Sequence, residues 1–120
     1  MPETKVIRPW GSFQSLLLAE THQVKELVVE PGQRLSLQSH ERRSEHWIVT
    51  RGPALITVGD REHLFNTGEH IFIPRQARHR LANPGTEPVK IIEVQLGNYL
   101  GEDDIIRYED DYQRDKKDLK

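Results

Sequence analysis

The chain never runs far through apolar residues before a turn signal interrupts it. The breaks are Glu30-Pro31-Gly32, Gly52-Pro53, Gly59-Asp60, Asn66-Thr67-Gly68, Pro74-Arg75 and Asn83-Pro84-Gly85. Glycine opens left-handed backbone, and proline fixes φ and removes a donor, so such clusters end an element rather than extend it. Convincing helical periodicity is scarce between them. This punctuation predicts strands at 13–18, 23–29, 34–38, 46–51, 54–58, 61–65, 70–73, 79–83 and 89–96. Short strands at such close spacing fit an all-β sandwich or barrel better than βαβ units. Gly59-Asp60, set between two alternating runs, reads as a two-residue hairpin turn. A chain of 120 residues is one domain's worth. Its expected core is 7–100, with a terminal arm at 101–114 and a fraying tail at 115–120.

The same residues exclude several functions. The longest apolar run is of the length of Leu16-Leu17-Leu18, too short for a signal peptide or a membrane-crossing helix of about 20 residues. The expectation is a cytoplasmic protein with no membrane partner. The chain has no cysteine, which removes disulfides, thiolate nucleophiles and cysteine-held zinc. A net charge of -2 argues against nucleic acid, whose binders carry a basic excess. Arginines nevertheless cluster in two windows, Arg34, Arg42 and Arg43 in one, and Arg75, Arg78 and Arg80 in the other. Guanidinium groups grip carboxylate or phosphate bidentately; the plain alternative is a solvated barrel rim.

Two spaced patterns carry more chemistry than the rest: Gly32-x5-Gln38-x-His40-x4-Glu45-x6-Gly52, and Gly68-x5-Pro74-x4-His79-x3-Asn83. Gln38 and His40 stand two apart on an expected strand and so share a face. Glu45 opens the next strand, and a histidine from a later one can complete a convergent set of N and O donors. Such a set suits Zn²⁺ and is compatible with Mn²⁺, Fe²⁺ or Ni²⁺.

These two patterns resemble the paired motifs of the cupin superfamily, with Gln38 in place of the usual first histidine and Gln76 where the second motif usually has glycine. Further stretches resemble the C-terminal cupin domain of type II mannose-6-phosphate isomerases: Arg8-Pro9-Trp10-Gly11-Ser12, Leu35-Ser36-Leu37-Gln38, Ser44-Glu45-His46-Trp47, Ile73-Pro74, His79-Arg80-Leu81-Ala82-Asn83-Pro84-Gly85 and the run from Ile92 to Ile105. The resemblance covers about residues 7–114. It implies a double-stranded β-helix, or jelly-roll barrel, and a divalent metal, zinc first, held by Gln38, His40, Glu45 and His79. It also implies a sugar-phosphate substrate. In that family the domain often follows a guanylyltransferase domain, for which this chain has no room, so the cupin is expected to stand alone. Where the family usually carries a histidine-rich run, this chain has Gln38-Ser39-His40-Glu41-Arg42-Arg43. Arg43 keeps the family arginine, while Glu41 and Arg42 replace two histidines at the expected barrel mouth.

Strand alternation sorts the expected pocket. With Gln38 and His40 inward, Arg34 and Ser36 follow them, and Leu35 and Leu37 face the other way. Glu45 inward takes Trp47 and Val49 with it and sends His46 and Ile48 out, which makes His46 structural. Leu35, Leu37, Ile48 and Trp10 would then form an outer apolar patch that needs a cover, expected to be a second copy in a homodimer. Along 89–96, Val89, Ile91, Glu93 and Gln95 share one face. If that face is the pocket, Glu93 is the candidate base and Gln95 a partner for a sugar hydroxyl; if it faces solvent they do neither. Arg107 and Tyr99 lie in the family-like terminal segment and can fold back over the pocket.

The leading expectation is an isomerase that moves a proton between C1 and C2 of a hexose phosphate through an enediol. Arg43 and Glu93 are its catalytic candidates, and Arg34, Arg43, Gln95 and Arg107 its substrate-binding ones. Two other readings stand beside it: a non-catalytic cupin that binds a sugar phosphate or nucleotide sugar as an accessory module, and a cupin dioxygenase.

Overall fold

The structure, a computed structural model, describes residues 4–112; the fraying expected at 115–120 lies outside them. Among the described residues there are eleven strands: β1 (Val6–Arg8), β2 (Gly11–Leu18), β3 (His22–Val29), β4 (Leu37–Ser39), β5 (Ser44–Arg51), β6 (Ala54–Val58), β7 (Arg61–Phe65), β8 (His70–Ile73), β9 (His79–Ala82), β10 (Val89–Leu96) and β11 (Ile106–Glu109). They form a six-stranded sheet in the order β1-β2-β3-β10-β5-β8 and a five-stranded sheet in the order β11-β4-β9-β6-β7. Every pairing is antiparallel. The all-β expectation holds, and no helix is long and apolar enough to cross a membrane. The Gly59-Asp60 turn closes the β6–β7 hairpin through the pair Val58↔Arg61, with Gly59 at a φ of 61°, where a two-residue turn demands left-handed backbone.

What positions the site is the inner face of the larger sheet. Period-2 alternation sends Val29, Leu27, Lys25 and Gln23 of β3 to one side, and their partners on β10 are Val89, Ile91, Glu93 and Gln95. On β5 the facing residues are Val49 beside Ile91, Trp47 beside Glu93 and Glu45 beside Gln95. All of these are buried. Successive rows therefore change character along the strands. Val29·Val89 and Leu27·Ile91·Val49 are apolar and join Ile56, Ile73 and Leu81 in the hydrophobic core. Lys25·Glu93·Trp47 and Gln23·Gln95·Glu45 are polar and ionisable.

Three expectations about orientation fail, two of them for one reason. Residues 32–36 are not a regular strand: they touch β9 only through the Arg34↔Ala82 bridge and single bonds such as Leu35 N to Leu81 O at 2.9 Å. Alternation carried back from Gln38 therefore breaks. Leu35 packs against the core, while Arg34 turns out to solvent and holds Asp111 through two bonds of 2.7 and 2.8 Å. Trp10 is buried in the core too, so the expected outer patch loses two of its four members. β5 does alternate as expected, with Glu45, Trp47 and Val49 inward and Ile48 exposed. The terminal arm contains a strand: β11 pairs with β4, setting Arg107 opposite Gln38. β1 likewise lies outside the expected set of strands.

Candidate metal centre and cavity

His40 follows β4, Glu45 sits near the start of β5 and His79 opens β9. Their ligand atoms lie within 4.8 Å of one another, and all three residues are buried. Gln38 pairs with His79 across β4 and β9, and its side chain lines the adjoining cavity. Both imidazoles are fixed from behind. His40 Nδ1 donates to the Asp104 carbonyl at 2.7 Å and His79 Nδ1 to the Ala77 carbonyl at 3.0 Å. This sets the tautomer, leaving each Nε2 as a lone-pair donor pointed at the cluster, the arrangement usual behind metal-ligating histidines. Burial, and then the Arg43 charge, press His40 down to about 4; burial likewise lowers His79. Both rings are therefore neutral at pH 7, as ligation requires.

Glu45 is 1% exposed, and a carboxylate that deep needs partners. Arg43 Nε donates to Glu45 Oε2 at 2.8 Å, and Arg43 Nη2 lies 3.2 Å from His40 Nε2. The Trp47 indole N–H divides between two carboxylates, 3.0 Å from Glu45 Oε1 and 3.0 Å from Glu93 Oε2. From Glu93 the chain of bonds runs on through Gln95 Nε2 at 2.8 Å, Gln23 Nε2 to Gln95 Oε1 at 3.0 Å, and Ser15 Oγ to Gln23 Oε1 at 2.8 Å. Burial first, and the neighbouring Glu45 charge second, push Glu93 up to about 7.

Two buried nitrogens in this group have no hydrogen-bond partner, His79 Nε2 and Arg43 Nη1. Orphaned buried donors and acceptors are rare and call for a ligand. His79 Nε2 is a vacant lone pair 3.8 Å from Glu45 Oε1, inside a donor set of neutral imidazoles and a carboxylate; the residues fit a divalent ion. Beside the cluster opens a small, half-open cavity of about 80 Å³. Gln38, Arg43, Glu93, Gln95 and Arg107 line it, together with Lys25 and Glu102.

Of the residues singled out from sequence, the structure therefore gathers Gln38, His40, Glu45, His79, Arg43, Glu93, Gln95 and Arg107 around one centre. Arg34 and Tyr99 are the exceptions, for neither lines the cavity: Arg34 holds Asp111, and the Tyr99 ring packs 4.7 Å from the Arg42 guanidinium. His46 faces away from the centre, its ring 5.2 Å from that of His70. Lys25, Glu102 and Asp104 escaped the sequence reading. Lys25 shares the parity of Leu27 and Val29, and that signal alone marks it as inward. Asp104 accepts from the backbone N–H of Glu41 and of Arg42, each at 2.9 Å, and so pins the turn that carries Arg43. At Gln76, where the second motif usually has glycine, φ is 70°, the left-handed region that glycine favours.

Residues 2–110 match the family described as Mannose-6-phosphate isomerase C-terminal. The alginate biosynthesis protein AlgA of Pseudomonas aeruginosa is 53% identical over 110 residues, covering 92% of this chain and 23% of that protein. Mannose-1-phosphate guanylyltransferase 2 of Escherichia coli O157:H7 is 49% identical over 111 residues, with 92% and 23% covered. The chain thus spans about a quarter of the length of these relatives. Among solved structures, a Klebsiella pneumoniae protein with a double-stranded β-helix domain superposes with a TM-score of 0.68 at 21% identity, over 73% of this chain and 77% of that one. This last likeness speaks to the fold.

Proposed function

The chain belongs to the mannose-6-phosphate isomerase C-terminal family, and from that premise we propose that it is a metal-dependent sugar-phosphate isomerase interconverting mannose 6-phosphate and fructose 6-phosphate through an enediol. The observation that carries this reading is the vacant His79 Nε2 within a His40–Glu45–His79 cluster that opens beside an arginine- and lysine-lined cavity. Gln38, His40, Glu45 and His79 would hold the metal. Gln38 commits its amide nitrogen to Ser36 Oγ at 3.0 Å and keeps its oxygen for the ion. A divalent ion, zinc before manganese, iron or nickel, would supply Lewis-acid chemistry there when bound.

The chain's own residues supply the rest. Glu93 stands with an ionisation near 7, the range in which a base can both take a proton from one carbon and return it to the next. Gln95 holds one of its oxygens at 2.8 Å and fixes its rotamer. Arg43 and Arg107 bring positive charge to the cavity for the phosphate, which positions the sugar for proton transfer. Arg34, paired with Asp111 outside the cavity, has no part in this assignment. The sugar phosphate is the partner assigned here, in the cytoplasm. A homodimer remains part of the proposal, now through the outer face of the larger sheet, where Ile48 and Phe72 are exposed.

The test is interconversion of the two sugar phosphates by the zinc-loaded protein and by His40→Ala. Turnover by the first alone supports the reading; equal rates, or no turnover in either, sinks it. A second reading, favoured by the likeness to a mannose-1-phosphate guanylyltransferase, is an accessory module. An accessory module would bind mannose phosphates and turn none over.

A further inference from the structure

Lys25 is a lysine in an unusual place. Its inward parity on β3 leaves it 4% exposed, with its ammonium 4.4 Å from the centre of the Phe13 ring. A buried ammonium loses its hydration and needs an anion to replace it. Glu93 is directly opposite on β10, yet its two oxygens are taken by Trp47 and Gln95. The ion pair forms instead with Glu102, which is not on the barrel wall. Glu102 lies in the loop between β10 and β11, and its side chain is 61% exposed.

The pair is thus lopsided. The cation is fixed by the barrel and by an aromatic ring, a contact that strengthens as water is excluded. The anion reaches in from solvent, and its backbone is held independently. The loop is tied down by Asp104, which bonds Glu41 and Arg42, and by Gly97 N to Thr21 O at 3.0 Å. Turning Glu102 out therefore needs a side-chain rotation and no unfolding. Lys25 and Glu102 both line the cavity that Arg43 and Arg107 line, and Arg43 Nη1 is buried there with no hydrogen-bond partner.

We propose that Lys25 is the anion seat of this cavity and that the Glu102 carboxylate occupies the seat until the phosphate monoester of a ligand displaces it. The assignment rests on the reading of the cavity as a sugar-phosphate site and adds to it a binding residue and an intramolecular competitor. It also gives selectivity: a neutral sugar cannot replace the Glu102 charge, so it leaves the seat closed.

Calorimetric titration of the full chain with inorganic phosphate and with fructose 6-phosphate tests this, using neutral fructose as the control. Removing the competitor with Glu102→Gln is expected to tighten phosphate about fivefold, the scale of a pair with one exposed member. Lys25→Met is expected to weaken it at least about tenfold, as loss of a charge-assisted contact does. In the double variant the Glu102→Gln gain disappears. Circular dichroism checks that Lys25→Met folds; if it does not, the exposed Glu102→Gln decides alone. Weaker or unchanged phosphate binding in Glu102→Gln overturns the proposal, as does undiminished binding in a folded Lys25→Met. Because phosphate binding needs no turnover, the outcomes separate. This binding pattern without interconversion keeps the seat and removes the isomerase. Interconversion with KM unchanged in both variants keeps the isomerase and removes the seat.

Discussion

Along β3, β10 and β5 the same sheet face does two different jobs, and the change falls between adjacent rows. Leu27, Ile91 and Val49 lie at one end; Lys25, Glu93 and Trp47 follow immediately, then Gln23, Gln95 and Glu45. Backbone pairing and burial are alike in both regions. At the apolar end burial itself is the stabilising term, about 25 cal/mol per Å² removed from water. At the polar end burial is a cost, met by a continuous set of bonds from Ser15 to Arg43 and left unmet at His79 Nε2 and Arg43 Nη1. The apolar rows thus supply the barrel's stability, and the polar rows adjoin the buried nitrogens left without partners.

The comparison breaks if lesions at the two ends have the same consequence. The largest effect is expected from His40→Ala, which should lower zinc affinity by at least about 100-fold while costing metal-free unfolding only the roughly 1–3 kcal/mol of one lost buried hydrogen bond. Zinc titration and thermal unfolding of the chelated protein check it. Ile91→Ala should do the reverse, costing about 2–5 kcal/mol in denaturant unfolding with zinc affinity preserved in the folded protein.

A third test concerns pH. Burial, then Glu45, raises Glu93 from 4.5 to about 7 in the folded protein. A folded value above the unfolded one means stability that is complete below about 4.5 and lost as pH rises through about 7. Unfolding of the chelated protein should show that loss, and Glu93→Gln, which cannot ionise, should not. If both fall alike across that window, the loss belongs to another group. The smallest effect belongs to the motif's odd residue. Gln76→Gly relieves left-handed backbone at φ 70° and should stabilise by up to about 1 kcal/mol in chemical denaturation.

Residue spacing made much of this legible. Turn chemistry marked the hairpins, and alternation placed Glu45, Trp47 and Val49 correctly because β5 is a long, regular strand. Gln38, His40, Glu45 and His79 could be proposed together because their spacing resembles the paired cupin motifs, and the structure brings His40, Glu45 and His79 within reach of one another. Alternation failed at Arg34 and Leu35, where the backbone is irregular, and Trp10, in the turn between β1 and β2, is oriented by contact with distant elements of the core. Lys25 was overlooked for another reason. Its parity pointed inward, but a lysine in a strand reads as solvated until a counter-ion such as Glu102, far away in sequence, is seen beside it.

The central claim is that the polar end of this face is a metal centre built from two imidazoles with oxygen donors. X-ray absorption at the zinc edge, on protein loaded with one equivalent, tests it most directly. Two imidazole ligands are expected, falling to one in His79→Ala. An imidazole count that is unchanged by that substitution, or zinc that fails to bind the native chain, would contradict the account.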